Sequence, residues 1–115
     1  KNNLDIINLC KKKVIKFDFI VVSAISPLYV TKKKAKEYFG SNYIEFLVEA
    51  DIPDLIKRDT KLLYKRAINE NYEVLGFNSK IKYEKSKHKK IYLNTSKMNK
   101  KACLKKIKET LKLVN

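Results

Sequence analysis

The sequence predicts an α/β protein, a small parallel sheet with helices around it. Two observations carry that expectation. Short apolar runs alternate along the chain with lysine-rich stretches of helical period, and strand–helix alternation is the pattern of parallel sheets joined by right-handed crossovers. The first run, "FDFIVV", is nearly continuous and rich in β-branched residues, as a strand buried on both faces is. At 115 residues the chain can build one core, so a single α/β domain is expected over residues 1–115.

The elements follow in order. Residues 2–13 place Leu4, Ile7 and Cys10 on one helical face. Phe17 to Val22 reads as the first strand. "TKKKAKEYFG" reads as a helix closed by Gly40, which suits a left-handed C-cap. Asn42 to Ala50 is the second strand. "DIPDLIKRD" opens a helix with Asp51 as N-cap and Pro53 in the first turn, and "TKLLYKRAI" continues it. Residues 69–90 are polar, aromatic and lysine-rich without a clear period, and read as a loop or lid. Lys90 to Thr95 is a third strand. "NKKACLKKIKETLKLV" is a closing amphipathic helix that turns Ala102, Ile107 and Leu111, with Cys103 and Leu104, toward the core. Ligands of such sheets sit beyond the carboxyl ends of the strands. The segment Ser23–Pro27 follows the first strand and is therefore a candidate ligand loop.

Composition narrows the partners. The formal charge is +15, nearly all of it from lysine, since Arg58 and Arg66 are the only arginines. Lysine is a point charge and arginine the usual bidentate reader of phosphates and guanine edges. A solvated basic surface or a small polyanionic ligand therefore fits better than a nucleic-acid footprint. Lysine runs at 11–13, 32–34 and 85–90, near Tyr83 and Tyr92, are the argument for nucleic acid, but no RNP, KH or helix-turn-helix signature accompanies them. Cys10 and Cys103 form no CxxC pair, and with His88 alone they cannot complete a metal site, so two reduced core cysteines and no bound metal ligand set are expected. With no signal peptide and no apolar run of membrane length, the expected location is cytoplasmic, with no membrane partner.

Three blocks resemble one family. "VVSAISP", "EFLVEADIPDLIKRDTKLLYKRA" and "IYLNT" followed by a helix are similar, in order and spacing, to segments of the adenylylsulfate kinases. The combination of "ISP", "RDxK" and "LNT" is the specific part. These enzymes are P-loop kinases that move the γ-phosphoryl of ATP to the ribose 3′-hydroxyl of adenylylsulfate with magnesium. The resemblance implies the carboxyl-terminal part of a P-loop NTPase-type parallel sheet with a lid around residues 60–88. It implies ATP and Mg2+ as cofactors and a nucleotide substrate, with a homodimer left open.

The site residues it implies are these. Ile25, Ser26 and Pro27 form the substrate loop, with Lys32, Gly76 and Phe77 as further substrate contacts. Arg58, Lys61 and Thr95 face the nucleotide. Ser26 and Lys61 are the catalytic candidates, Ser26 matching a serine described in the family as a phosphoserine. Ser26 reads equally as a loop-former before Pro27, which holds its predecessor extended. Phosphoryl transfer needs positioning and charge neutralisation more than a protein nucleophile. Arg58 and Lys61, one helical turn apart, can share an anion. A surface pair of Arg58 with Asp54 is the plainer alternative.

The departures also inform. The family's lid glycine is Leu62 here, and Val74 stands where a phenylalanine stacks on adenine. Asp5 and Ile6 replace a pair of arginines that hold the anionic tail. The interval to Tyr83-Glu84 is longer than usual. A different base or tail, such as that of cytidine diphosphoramidate, would relax both lost contacts. GxxxxGK[ST] is missing, since the glycines are Gly40 and Gly76 alone. The expectation is that the family's P-loop end precedes Lys1, and that this chain by itself is inactive.

Overall fold

The computed structural model describes residues 2–59, 61–70, 72–74 and 82–112. The chain divides into two compact units, Lys1–Ile44 with Ile81–Lys89, and Glu45–Lys80 with Lys90–Asn115.

The first unit holds helices α1 (Asn2–Lys13) and α2 (Tyr29–Phe39), each followed by a short 3-10 turn, Val14–Lys16 and Gly40–Asn42. Leu4, Ile7 and Cys10 are half-buried along one face of α1, as their spacing predicts. Gly40 closes α2 with φ +57°, and its N–H donates to the Lys36 carbonyl. An added Cβ would meet no atom within 4 Å there, so conformation and not crowding favours glycine. The core of this unit is small and partly polar: Ala35, Thr31, Lys32 and Ser86 are its buried residues.

Phe17–Val22 is not a strand. The segment runs without ladder partners, and Val21 is 86 % exposed and Phe17 58 %. A buried parallel strand needs a hydrogen-bonded neighbour and cover on both faces. The two strands among the described residues pair with each other instead. The apolar run therefore lines an open groove with Ile6, Leu9 and Cys10 of α1.

The second unit carries a two-stranded parallel sheet. Strand β1 (Phe46–Glu49) pairs with β2 (Ile91–Asn94) in the register Phe46↔Ile91 through Glu49↔Asn94. Both strands are shorter than the expected 42–50 and 90–95. Leu47 and Leu93 are buried, while Val48 and Tyr92 stay exposed, the alternation of strands covered on one side. Full burial of a leucine contributes about 2 kcal/mol, so these two are the main apolar anchors of the sheet.

Helices α3 (Ile52–Arg58), α4 (Leu63–Glu70) and α5 (Lys100–Thr110) flank this sheet. Asp51 stands at the N-cap of α3 with Pro53 in the first turn, but its carboxylate makes no capping bond. The expected single helix from Asp51 to Ile68 is instead two. Asp59 ends α3, and Leu62 adopts φ +57°. Asn99 Oδ1 caps α5 by accepting the Ala102 N–H at 2.8 Å. Ala102, Cys103, Ile107 and Leu111 are half-buried. Leu104, expected inward, is 51 % exposed. Both cysteines are free and half-buried, not core residues. Of the expected lid, Leu63–Glu70 is helical, and residues 75–81 lie outside the described residues. No helix among the described residues is long and apolar enough to cross a membrane.

Candidate functional site

In the first unit the segment Ile25–Tyr29 leads into α2. The hydroxyls of Ser26 and Thr31 lie 3.0 Å apart. Thr31 Oγ1 donates to the Leu28 carbonyl at 2.9 Å, so the shared proton comes from Ser26. Ser26 is thus half-buried and bonded as a turn-former at the start of the helix. Asn3 of α1 donates to the Ile25 carbonyl at 3.3 Å.

Glu84 ties the same segment from far along the chain. Its N–H donates to the Pro27 carbonyl, and its carboxylate accepts the Tyr29 N–H at 2.9 Å. The first N–H groups of a helix have no partner within it, and negative charge is favoured there. Lys32, expected on a phosphate, is buried, donates to the Glu84 carbonyl and stands 4.2 Å from the centre of the Tyr83 ring. The backbone and side chain of Glu84 and the ammonium of Lys32 together fix the loop that carries Ile25, Ser26 and Pro27. Sequence reasoning set Glu84 aside as an odd spacing; its partners are 52 to 57 residues away, and no local pattern reveals them.

In the second unit the structure brings Arg58 and Thr95 together. Arg58 Nη1 donates to Thr95 Oγ1 at 2.9 Å and Nη2 to the Thr95 carbonyl at 2.8 Å. Thr95 Oγ1 in turn donates to the Glu49 carbonyl at 3.0 Å. Glu49 is the last residue of β1, and Thr95 follows the last residue of β2. The exposed guanidinium is therefore fixed at the carboxyl ends of both parallel strands, where open sheets bind ligands. Arg58 makes its bonds with Thr95, not with Asp54.

Lys61 is exposed in the turn between α3 and α4, so it does not share a helical face with Arg58. The helix break is the reason. Asp59 builds that turn: its carbonyl accepts the Leu62 N–H at 2.9 Å, and its carboxylate accepts the N–H of Tyr64 at 3.1 Å and of Lys65 at 2.9 Å. Gly76 and Phe77 lie outside the described residues.

The adenylylsulphate kinase family profile matches residues 1–94. That is most of the chain. It belongs to this family. No curated protein and no solved structure matches it. The family match includes Ser26, Arg58 and Lys61 and ends one residue before Thr95. Adenylylsulphate kinases are nucleotide kinases, and their use of ATP and Mg2+ gives a test of fit. The fixed Arg58 and exposed Lys61 suit anionic phosphate oxygens. Magnesium takes hard oxygen ligands, and no cluster of three acidic, histidine or cysteine side chains occurs among the described residues to hold it. These residues fit the phosphate-facing part of an ATP site and not a metal-holding part.

Proposed function

We propose that the protein transfers the γ-phosphoryl of ATP to the ribose 3′-hydroxyl of an activated nucleotide, with adenylylsulfate as the family's default substrate. The observation that carries this reading is the double hold of Thr95 on Arg58, at the family's "RDxK" motif and at the carboxyl ends of the strands. Phosphoryl transfer is served by fixed positive charge and positioning. Arg58 supplies such a charge, and Lys61 a second from the turn beside it. The Ile25–Pro27 segment is assigned to the nucleotide substrate; Gly76 and Phe77, assigned to the same substrate from the sequence, lie outside the described residues. Ser26 shapes the loop. ATP supplies the phosphoryl group; the residues described here bind and orient.

Adenylylsulfate and cytidine diphosphoramidate compete as substrates. Asp5 is exposed on α1 and Ile6 turns into the apolar groove, so neither position offers the positive charge that the family's arginine pair supplies to an anionic tail. Val74 offers no ring for adenine, and stacking on an aromatic is worth about 1–3 kcal/mol per base. An ADP-release assay on the full-length protein, with each nucleotide under identical ATP and magnesium, separates the readings. Weak discrimination, or preference for the cytidine compound, supports a divergent substrate. A preference of roughly a hundredfold for adenylylsulfate (about 2.7 kcal/mol) shows that other residues compensate. Salt-dependent DNA binding with no ADP release from either nucleotide overturns the kinase reading.

A further inference from the structure

We infer that Glu84 is a positioning residue for the substrate loop: the segment Tyr83–Ser86 acts as a strap that latches Pro27–Tyr29 in place, and Lys32 serves the strap instead of binding phosphate. The inference rests on the kinase reading for its effect on turnover and on geometry alone for the latch.

Three independent atoms of one residue carry it. The Glu84 N–H engages the Pro27 carbonyl, the Glu84 carboxylate takes the first N–H of α2, and the Glu84 carbonyl takes the Lys32 ammonium. Proline offers no N–H of its own, so Pro27 can be held through its carbonyl alone. The strap's N–H satisfies that carbonyl from outside the loop. Lys32 is 6 % exposed and Ser86 is 3 % exposed, so the strap is seated and not merely laid on the surface. Tyr83 covers the ammonium with its ring face at 4.2 Å, an arrangement that strengthens as water is excluded. A buried lysine with these partners costs more to release than an exposed one. Its bond to the Glu84 carbonyl thus holds the loop's far anchor.

The strap fixes the loop that the kinase reading gives to the nucleotide acceptor. The latch should therefore influence affinity for that acceptor and leave the affinity for ATP unchanged.

The test uses the full-length protein and three variants: Glu84→Ala, Glu84→Gln and Lys32→Met. Glutamine keeps a carbonyl oxygen for the Tyr29 N–H; alanine removes that acceptor and leaves the two backbone contacts of residue 84. Glu84→Ala is expected to raise KM for the acceptor nucleotide about tenfold, with KM for ATP within about twofold of the parent. Glu84→Gln recovers most of that loss. Lys32→Met reproduces the Glu84→Ala pattern. Amide hydrogen exchange gives a second readout that needs no turnover: the Tyr29 N–H loses protection in Glu84→Ala and regains it in Glu84→Gln. Unchanged Tyr29 exchange in Glu84→Ala overturns the latch. So does a rise in both KM values by the same factor, or a Lys32→Met variant that fails on the ATP side alone. If the parent protein turns over neither nucleotide, the kinase reading fails, and the exchange result still decides whether the strap exists.

Discussion

Arg58 and Thr95 are joined by two hydrogen bonds across 37 residues, one to the threonine hydroxyl and one to its carbonyl. Threonine at this position does two things at once, because its hydroxyl also donates to the Glu49 carbonyl at 3.0 Å. Thr95→Val keeps the shape and removes both roles of the oxygen. A typical intramolecular hydrogen bond contributes about 1 kcal/mol net, and more when one partner is charged. The variant is expected to lose about 1–2 kcal/mol in urea denaturation. Arg58→Lys is expected to do similar damage to nucleotide affinity, since an ammonium cannot reproduce the planar fork that meets two acceptors. A Thr95→Val protein as stable as the parent, with unchanged KM for ATP, would remove Thr95 from the site.

Asp59 holds the turn that carries Lys61. Its carboxylate accepts two N–H groups from the first turn of α4, as an N-capping side chain does. Asp59→Ala should cost about 1 kcal/mol of stability, and Asp59→Asn much less, because asparagine retains an oxygen acceptor. Thermal melts of the two variants beside the parent read the difference. If alanine and asparagine destabilise equally, the charge and not the hydrogen bond is what Asp59 provides.

Leu62 occupies left-handed backbone, at φ +57°, where the related kinases carry glycine. The left-handed conformation costs a non-glycine residue about 1–2 kcal/mol. The leucine side chain is 53 % exposed and offsets little of that, but Leu62→Gly changes side chain and backbone together and is alone a poor test. Comparing Leu62→Gly with Leu62→Ala removes the side chain in both. Glycine is expected to be more stable than alanine by about 1 kcal/mol, the reverse of the order at ordinary helix and strand positions. Denaturant midpoints at equal m-values decide it, and alanine above glycine would contradict the observed turn.

Leu62 also explains why one boundary was hidden in the sequence. "DIPDLIKRDTKLLYKRAI" offers no glycine or proline after Pro53, so periodicity alone predicts one helix, and the break rests on Asp59 capping a second one. The strands β1 and β2 were legible because their alternation is local. Phe17–Val22 reads as a buried strand by the same logic, but an apolar run records only a demand for cover and says nothing of what supplies it. The hold of Glu84 on Pro27 and Tyr29 spans more than fifty residues and leaves no periodic mark. Arg58 and Thr95 were found through the family resemblance and their contact only through the fold. Lys32 was expected on phosphate because the resemblance sets it where the family often has arginine; its burial and its bond to the Glu84 carbonyl are visible only in the fold.

Lys61 and Lys87 provide the sharpest contrast between two exposed lysines. Lys61 stands in the turn that Asp59 builds, one residue from Leu62 and three from Arg58, inside the matched family region. Lys87 also falls inside that region, but it belongs to a lysine-rich run and lies 5.8 Å from the centre of the Tyr29 ring, a distant contact in an exposed setting. A fixed charge that meets developing charge in phosphoryl transfer typically contributes about 2–4 kcal/mol to transition-state stabilisation, whereas a solvated lysine contributes close to nothing. Lys61→Ala is therefore expected to lower kcat/KM by about two to three orders of magnitude, and Lys87→Ala by less than about twofold. Lys61→Arg should retain much of the activity if the charge alone matters, and little if the turn allows only a slender side chain. The measurement is steady-state ADP release by the full-length variants at saturating ATP, with circular dichroism confirming that each is folded. Equal, small losses from Lys61→Ala and Lys87→Ala would take Lys61 out of the phosphate-facing site and leave Arg58 as its cation among the described residues.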